Sequence, residues 1–224
     1  TGQGAAHPSA GGPLAKNPRV IIDTAALSGS INLAGGRLDD LKLKGYHETV
    51  DDSSPIITLF SPSETKDGYF AELGYIGDAA TGNVPGPSTL WTAPEGAKLT
   101  EKTRVTLTYT NDKGITFART ISVDERYMFT ITDKITNAGQ APAALSSYGR
   151  VTRYNKPAVA STYVLHEGFI GVIGYDGLIE SKSASVEKEA VTPVTATCGS
   201  LGTTVKHWDP PRVRRQTTAQ DDPL

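Results

Sequence analysis

Two histidine–glutamate pairs, His47-Glu48 and His166-Glu167, are the residues whose types could perform acid–base chemistry. A general acid and a general base must reach the same substrate atom, whereas neighbours on a strand point to opposite faces of a sheet. Each pair could share a site only at a turn or a bulge. The four histidines show no metal-ligand spacing and the one cysteine, Cys198, cannot build a thiolate cage, so no metal site is predicted.

A second pattern, S-x-x-K at Ser63 and Lys66, matches the spacing of nucleophile and lysine in some acyl enzymes. That chemistry needs a helix, which brings both side chains to one face. Here the segment lies between a proline and an Asp-Gly pair, a context typical of a turn. The glycines at 168, 171 and 174 lack the G-x-G-x-x-G spacing of a phosphate cradle. We predict no catalytic residue and no cofactor.

Aromatic and acidic residues leave open a carbohydrate-binding cleft. The cleft candidates are Tyr69, Glu72, Trp91, His166 and Glu167, with Tyr75 as a further ring. The simpler interpretation is favoured: the tyrosines are strand residues, and Trp91 anchors the irregular region 74–97 onto a sheet. A pocket in which His166 converges with Glu72 or Glu167 would instead favour an enzyme.

The elements that must position these residues are β-strands. Apolar and polar residues alternate through 103–123, on both sides of a glycine-containing turn at 111–114. This predicts a β-hairpin with one buried face, and the alternation places Arg119 on that face. Further strands are predicted at 127–135 and 145–154. With no apolar stripe of helical period, the pattern favours an all-β sandwich, and helical candidates such as 183–190 are short.

The amino-terminal part repeats this pattern. A β-branched run at 19–23 begins the ordered part, and a short apolar strand is predicted at 56–60. Between them, glycine-separated segments at 29–32 and 36–43 predict a hairpin. Its apolar period slips at Asp39-Asp40, which indicates a β-bulge or a tight bend. Because period-2 geometry separates neighbouring residues, we expect the two aspartates on different faces and interpret them as structural.

Composition limits the classes of function. The 224 residues carry a net charge of about −2 with both signs interspersed. This charge pattern does not indicate nucleic-acid binding, because affinity for phosphates needs clustered Lys and Arg. Glycine (23) and proline (14) are frequent, which suits many turns. No run approaches the roughly 18 apolar residues that span a bilayer. The chain begins without Met, which suggests a piece of a longer protein.

The sequence divides into three parts. Residues 1–18 are rich in Gly, Ala and Pro and predict a flexible linker. Residues 19–208 form the predicted β-domain. Residues 209–224 are polar and proline-rich and predict an irregular tail that need not be native to the fold.

Eight segments in order resemble the periplasmic domain of the YidC membrane-protein insertase family, Gram-negative type, over about 18–208. They are 29–32 (GSIN), 36–41 (GRLDDL), 46–50 (YHETV), 54–56 (SPI), 69–74 (YFAELG), 89–91 (TLW), 123–129 (VDERYMF) and 165–172 (LHEGFIGV). Each segment alone is weak, but their order is specific. The carboxyl-terminal part departs from the family pattern: Ser200 stands where a tryptophan is expected and Val205 where an acidic residue is expected, which leaves the closing strands incomplete.

The resemblance implies a twisted antiparallel β-supersandwich related to galactose mutarotase, with few short helices. It implies a periplasmic, non-catalytic domain of an inner-membrane insertase and chaperone. The implied partners are the Sec translocon with its accessory subunits and nascent inner-membrane proteins, which the transmembrane part would meet. The alternative is a mutarotase-like carbohydrate-binding or carbohydrate-active domain. The fold alone transfers no epimerase site.

Overall fold

The computed structural model describes residues 16–139, 141–155, 168–173, 178–182, 199–204 and 213–219. Nearly all regular structure in these ranges is β-strand, which confirms the all-β prediction. Cys198, His166, Glu167, most of the predicted linker and the helical candidate at 183–190 lie outside the described ranges. Within those ranges no helix is long and apolar enough to cross a membrane.

The described residues contain fourteen strands. In chain order they are β1 Arg19–Asp23, β2 Leu27–Asn32, β3 Arg37–His47, β4 Ile56–Phe60, β5 Tyr69–Gly77, β6 Lys98–Leu99, β7 Val105–Thr110, β8 Ile115–Val123, β9 Phe129–Asn137, β10 Leu145–Arg153, β11 Gly168–Ile173, β12 Leu178–Lys182, β13 Gly199–Thr204 and β14 Val213–Ala219. The first sheet has the order β10-β5-β3-β2-β1-β6, with β4 paired to β3, and the second has the order β12-β11-β13-β14-β9-β8-β7. Most pairs are antiparallel, as expected, but β1–β6 and β9–β14 are parallel.

The predicted first hairpin and its bulge are confirmed. β2 and β3 pair antiparallel, and the register shifts after Ser30 opposes Asp40, which leaves Asp39 as the extra residue of the bulge. Glycine is required at Gly29 because a Cβ atom there would collide with the Asp40 carbonyl oxygen. The glycine therefore permits the close approach of the two backbones beside the bulge.

The predicted second hairpin is also confirmed. β7 and β8 pair antiparallel, and the turn between them contains Gly114 with a positive φ of 77°. Burial alternates along β8, with Arg119 on the buried face as the pattern predicts. β9 continues this sheet, whereas β10 leaves it and pairs with β5 of the first sheet.

Two strands reach into ranges where the sequence predicts irregular structure, since β5 extends to Gly77 within the predicted irregular region 74–97. β14, Val213–Ala219, is within 209–224 and is therefore a correction to the irregular tail over those seven residues. It runs parallel to β9 and antiparallel to β13. Its sequence lacks a clear apolar alternation, so its strand conformation depends on hydrogen bonds to neighbours that are distant in sequence.

The core lies between the two sheets and joins apolar side chains of both. Tyr75 on β5 and Phe117 on β8 meet across it, with ring centroids 5.1 Å apart. Trp91, in the long loop between β5 and β6, is buried in the same core, and its backbone N–H donates to the Leu33 carbonyl oxygen at 2.9 Å. The prediction that Trp91 anchors this loop is confirmed.

Candidate functional site

β5 carries two of the predicted cleft residues and separates them. Tyr69 faces the core together with Leu73 and Tyr75, whereas Glu72 faces the outer side of the first sheet, as alternation along a strand requires. Trp91 lies in the core on the inner side. Among the described residues, Tyr69, Glu72 and Trp91 therefore do not form one cleft. Tyr69 and Tyr75 are strand residues, as the simpler interpretation predicts.

The inner face of β5 meets a buried ion pair, which we call the inter-sheet clamp: Arg119, Asp133, Tyr75 and the Leu73 carbonyl. Arg119 donates to Asp133 through Nε at 2.8 Å and through Nη2 at 2.9 Å. Its Nη1 donates to the Leu73 carbonyl oxygen at 2.9 Å, and the Tyr75 hydroxyl donates to Asp133 Oδ2 at 2.5 Å. The clamp thus joins β8 and β9 of the second sheet to β5 of the first.

The electrostatics of the clamp favour the charged pair. Burial opposes the charge of Arg119, but the hydrogen bonds and negative charge of Asp133 outweigh it and raise the pKa of the guanidinium above its ordinary value. The guanidinium also lies 4.8 Å from the centroid of the Trp91 ring, which adds a cation–π contact. Since both Asp133 oxygens accept donors within the clamp, this carboxylate is occupied by structural contacts.

Asp133 is a residue that the sequence analysis missed. It stands directly opposite Arg119 in the β8–β9 register. The available signal was a pair of opposite charges at inward positions of two consecutive strands, because a buried charge requires a partner.

A second buried carboxylate occupies the bulge between β2 and β3. Asp39 is fully buried, forms an ion pair with Arg19 and accepts from Asn32 Nδ2 at 3.0 Å. The Ser30 hydroxyl donates to Asp40 at 2.7 Å and accepts from Arg19 Nε at 2.7 Å. The expectation that the two aspartates are separated is therefore wrong. The bulge interrupts the alternation of side chains along β3 and brings both carboxylates into one hydrogen-bond network with Arg19 and Ser30. The structural interpretation of the pair is retained.

The outer face of β5 holds a carboxylate of a different kind. The Glu72 side chain is fully buried, yet only its Oε1 has donors among the described residues: the Tyr148 hydroxyl at 3.1 Å and Arg150 Nη2 at 3.3 Å. Oε2 has none within the described part of the chain. Burial and the adjacent negative charge of Glu72 both raise the pKa of the Tyr148 hydroxyl above its ordinary value. Of the predicted cleft residues that the structure describes, Glu72 thus has an oxygen with unused capacity to accept a hydrogen bond.

The other sequence candidates have structural environments. Ser63 lies in a turn, where its hydroxyl accepts from Arg37 Nη1 at 2.8 Å, and the Lys66 side chain is exposed. His47 Nδ1 lies 2.6 Å from the Ser54 carbonyl oxygen across the β3–β4 hairpin. In the described ranges no three His, Cys, Asp or Glu side chains are grouped as they would be around a metal ion.

Comparisons with known proteins give one family. The family model of the YidC periplasmic domain matches residues 19–210. A relative from Rhizobium johnstonii named membrane protein insertase YidC is 75% identical over 221 residues, which cover 99% of this chain and 37% of the relative. Relatives of the same name are 74% identical in Rhizobium etli, with the same shares covered, and 60% identical in Agrobacterium fabrum, covering 92% of this chain and 34% of the relative. The chain spans little more than a third of their length.

Proposed function

Because this chain belongs to the YidC periplasmic domain family, we propose that it is the non-catalytic interaction domain of a membrane protein insertase that works with the Sec translocon. The family match over residues 19–210 carries the proposal. The chain is a periplasmic domain, and the remaining length of its relatives leaves room for the membrane-embedded part of the protein. Insertion of nascent inner-membrane proteins, membrane tethering and chaperone activity are assigned to that whole protein.

The non-catalytic role is supported by how the buried charges are used. Asp133 and Asp39 each accept hydrogen bonds from cationic or polar neighbours, so neither is poised as a general base. The S-x-x-K residues lie in a turn with the lysine exposed. These groups stabilise a rigid sandwich, which is a suitable scaffold for presenting a surface to a translocon subunit.

Co-purification tests this proposal. The full-length insertase that contains this chain would be extracted in mild detergent, and the Sec translocon bound to it would be quantified. The matched variant replaces residues 19–219 by a flexible linker of equal length and keeps the membrane-embedded part. We expect the amount of translocon recovered with the variant to be lower by a factor of about ten or more. A tenfold loss of affinity corresponds to about 1.4 kcal/mol of binding free energy. Equal recovery from both proteins, at equal insertase levels, would contradict the proposal.

A purified-domain assay tests the non-catalytic part. Incubation of the 224-residue chain with galactose anomers, followed by polarimetry, should leave the mutarotation rate at its buffer value. A rate above the buffer value would contradict the non-catalytic role and favour the mutarotase-like alternative.

A further inference from the structure

β14 has a central place in the second sheet. In the order β12-β11-β13-β14-β9-β8-β7, it is the strand that joins the first three strands to the last three. It pairs with β9 over seven residues in parallel orientation and with β13 over three residues in antiparallel orientation. Without β14, the described part of this sheet would divide into two halves, with unpaired backbone groups along the edges of β9 and β13. We call the space between these two edges the β14 slot.

The sequence of β14 indicates that backbone hydrogen bonds hold it in the slot. Its apolar residues are Val213 and Ala219 at the two ends, and the residues between them (RRQTT) are polar. A strand without an apolar face gains little from the burial of side chains, so its pairing with β9 and β13 supplies most of its attachment. Because this pairing uses the backbone, it is the same whichever copy of the chain supplies the strand.

β14 is also separate from the rest of the domain in sequence. The family model matches residues 19–210 and ends before β14 begins. Thr204 ends β13 and Val213 begins β14, so eight residues, 205–212, connect the two strands. A fully extended connection of this length spans about 30 Å. Since neighbouring strands are only about 5 Å apart, this length permits β14 to enter the slot of its own copy or that of an adjacent one.

β9 is a suitable acceptor because its other edge is held independently of β14. It pairs with β8 over nine residues, and its inward residues Phe129, Ile131 and Asp133 are buried in the core. Asp133 also accepts two hydrogen bonds from Arg119 of β8. β9 therefore keeps its place when β14 leaves, and the N–H and C=O groups of its edge can pair with an incoming strand.

We propose that β14 is exchanged between two copies of this chain, so that the β14 of each copy fills the slot of the other. A second copy is the partner because its β14 reproduces the seven pairs with β9 and the three pairs with β13 in the same register. The exchange needs no new contact, so it costs mainly the entropy of association, and a high concentration of the chain favours it. The exchanged dimer does not depend on the proposed contact with the translocon.

Disulfide trapping between single-cysteine variants tests this inference. Thr132 of β9 and Gln216 of β14 are register partners, and a disulfide can bridge the roughly 4.8 Å between paired strands. T132C and Q216C chains, each also carrying C198S, would be mixed near the midpoint of unfolding in urea, refolded at about 0.1 mM and oxidised. Cysteines held in register have an effective concentration of about 1 mM, so we expect about tenfold more covalent heterodimer than from a control mixture of T132C and S53C. Ser53 lies in the exposed turn between β3 and β4.

Two results would overturn the inference. The first is an equal yield of covalent heterodimer from the two mixtures. The second comes from the double variant T132C/Q216C, which should form its disulfide within one chain at about 1 μM, where exchange is suppressed; failure to do so would mean that β14 does not fill the slot. If T132C does not refold, Thr130 and Arg214 are a second register pair, and T130C with R214C repeats the test. These mixtures contain no translocon, so their result is separate from that of the co-purification.

Discussion

The two faces of β5 hold buried side chains that use their hydrogen-bonding capacity differently. On the inner face, the Asp133 carboxylate receives two hydrogen bonds from Arg119 and one from Tyr75. On the outer face, Glu72 accepts contacts from donors of the described residues on Oε1 and not on Oε2. Both carboxylates are almost inaccessible to solvent. Burial alone therefore does not show how fully a carboxylate is hydrogen-bonded, whereas the distribution of donors over its two oxygens does.

The partners of the two carboxylates differ as well. Arg119 is buried and planar, and it is held on several sides by Asp133, the Leu73 carbonyl and the Trp91 ring. Arg150 is more than half exposed, and its Nη2 lies 3.3 Å from Glu72 Oε1. An exposed cation is screened by water and contributes little, whereas a buried bidentate pair is rigid. The inner carboxylate is thus held by a buried bidentate pair, whereas the outer one is paired with a cation that water reaches.

The largest expected effect comes from breaking the inner pair. D133N removes the charge that compensates Arg119 and leaves a buried guanidinium without its counter-ion. We expect the free energy of unfolding to fall by about 3–5 kcal/mol, measured by urea denaturation. D52N, on the exposed turn after β3, is the control and should change stability by less than about 0.5 kcal/mol. A loss below about 1 kcal/mol in D133N would show that the clamp does not hold the two sheets together.

Replacement of a glycine tests the outer face. G74A places a methyl group within 2.5 Å of the Tyr148 ring, so the ring must move from its place beside Glu72. Overpacking of this kind should cost about 1–3 kcal/mol in urea denaturation. G45A is the matched control, because a Cβ atom at Gly45 on β3 meets nothing within 4 Å. If G74A/Y148A is no more stable than G74A, the collision with Tyr148 is not the cause.

The sequence predicts the local elements of both faces but not the pairs that distinguish them. Alternation locates β7, β8 and the buried position of Arg119, and the slipped period locates the bulge at Asp39. These features depend on neighbours within a few residues. The identity of Asp133 as the partner of Arg119 requires the β8–β9 register, which the turn between these strands sets and which alternation alone does not fix.

Long-range pairing limits the prediction of the candidate site. The sequence suggests Tyr69, Glu72 and Trp91 as members of one cleft, but it does not show that β10 pairs with the distant strand β5. Tyr148 and Arg150, the donors to Glu72, are therefore missed. β14 is missed for the same reason, because its neighbours β9 and β13 supply its hydrogen bonds. Local periodicity carries no information about which distant strand completes a sheet.

The outer carboxylate should be much less important for stability than the inner one. E72Q keeps the side-chain volume and leaves Arg150 in contact with water, so we expect a change of less than about 1 kcal/mol in the free energy of unfolding. Urea denaturation of E72Q and D133N under identical conditions gives the comparison directly. Equal losses in the two variants would mean that Glu72 is as structural as Asp133, and the distinction between the faces would fail.

The smallest expected effect comes from Asp23, whose carboxylate is exposed, unlike that of Glu72, and is paired on both oxygens. Asp23 on β1 forms ion pairs with Lys44 at 2.5 Å and Lys98 at 2.7 Å. Hydrogen bonds from these lysines, first Lys44 and then Lys98, lower the pKa of Asp23 from 3.8 to about 2. Because the folded pKa is the lower one, the stabilisation is complete above pH 3.8 and is lost as the pH falls through about 2.

An NMR titration of the Asp23 carboxyl carbon should have its midpoint near pH 2, and the difference in stability between the parent chain and D23N should shrink between pH 4 and pH 2. A midpoint near 3.8 would show that two exposed lysines do not lower the pKa of this carboxyl. The number of donors to a carboxylate would then affect its pKa only where water is excluded.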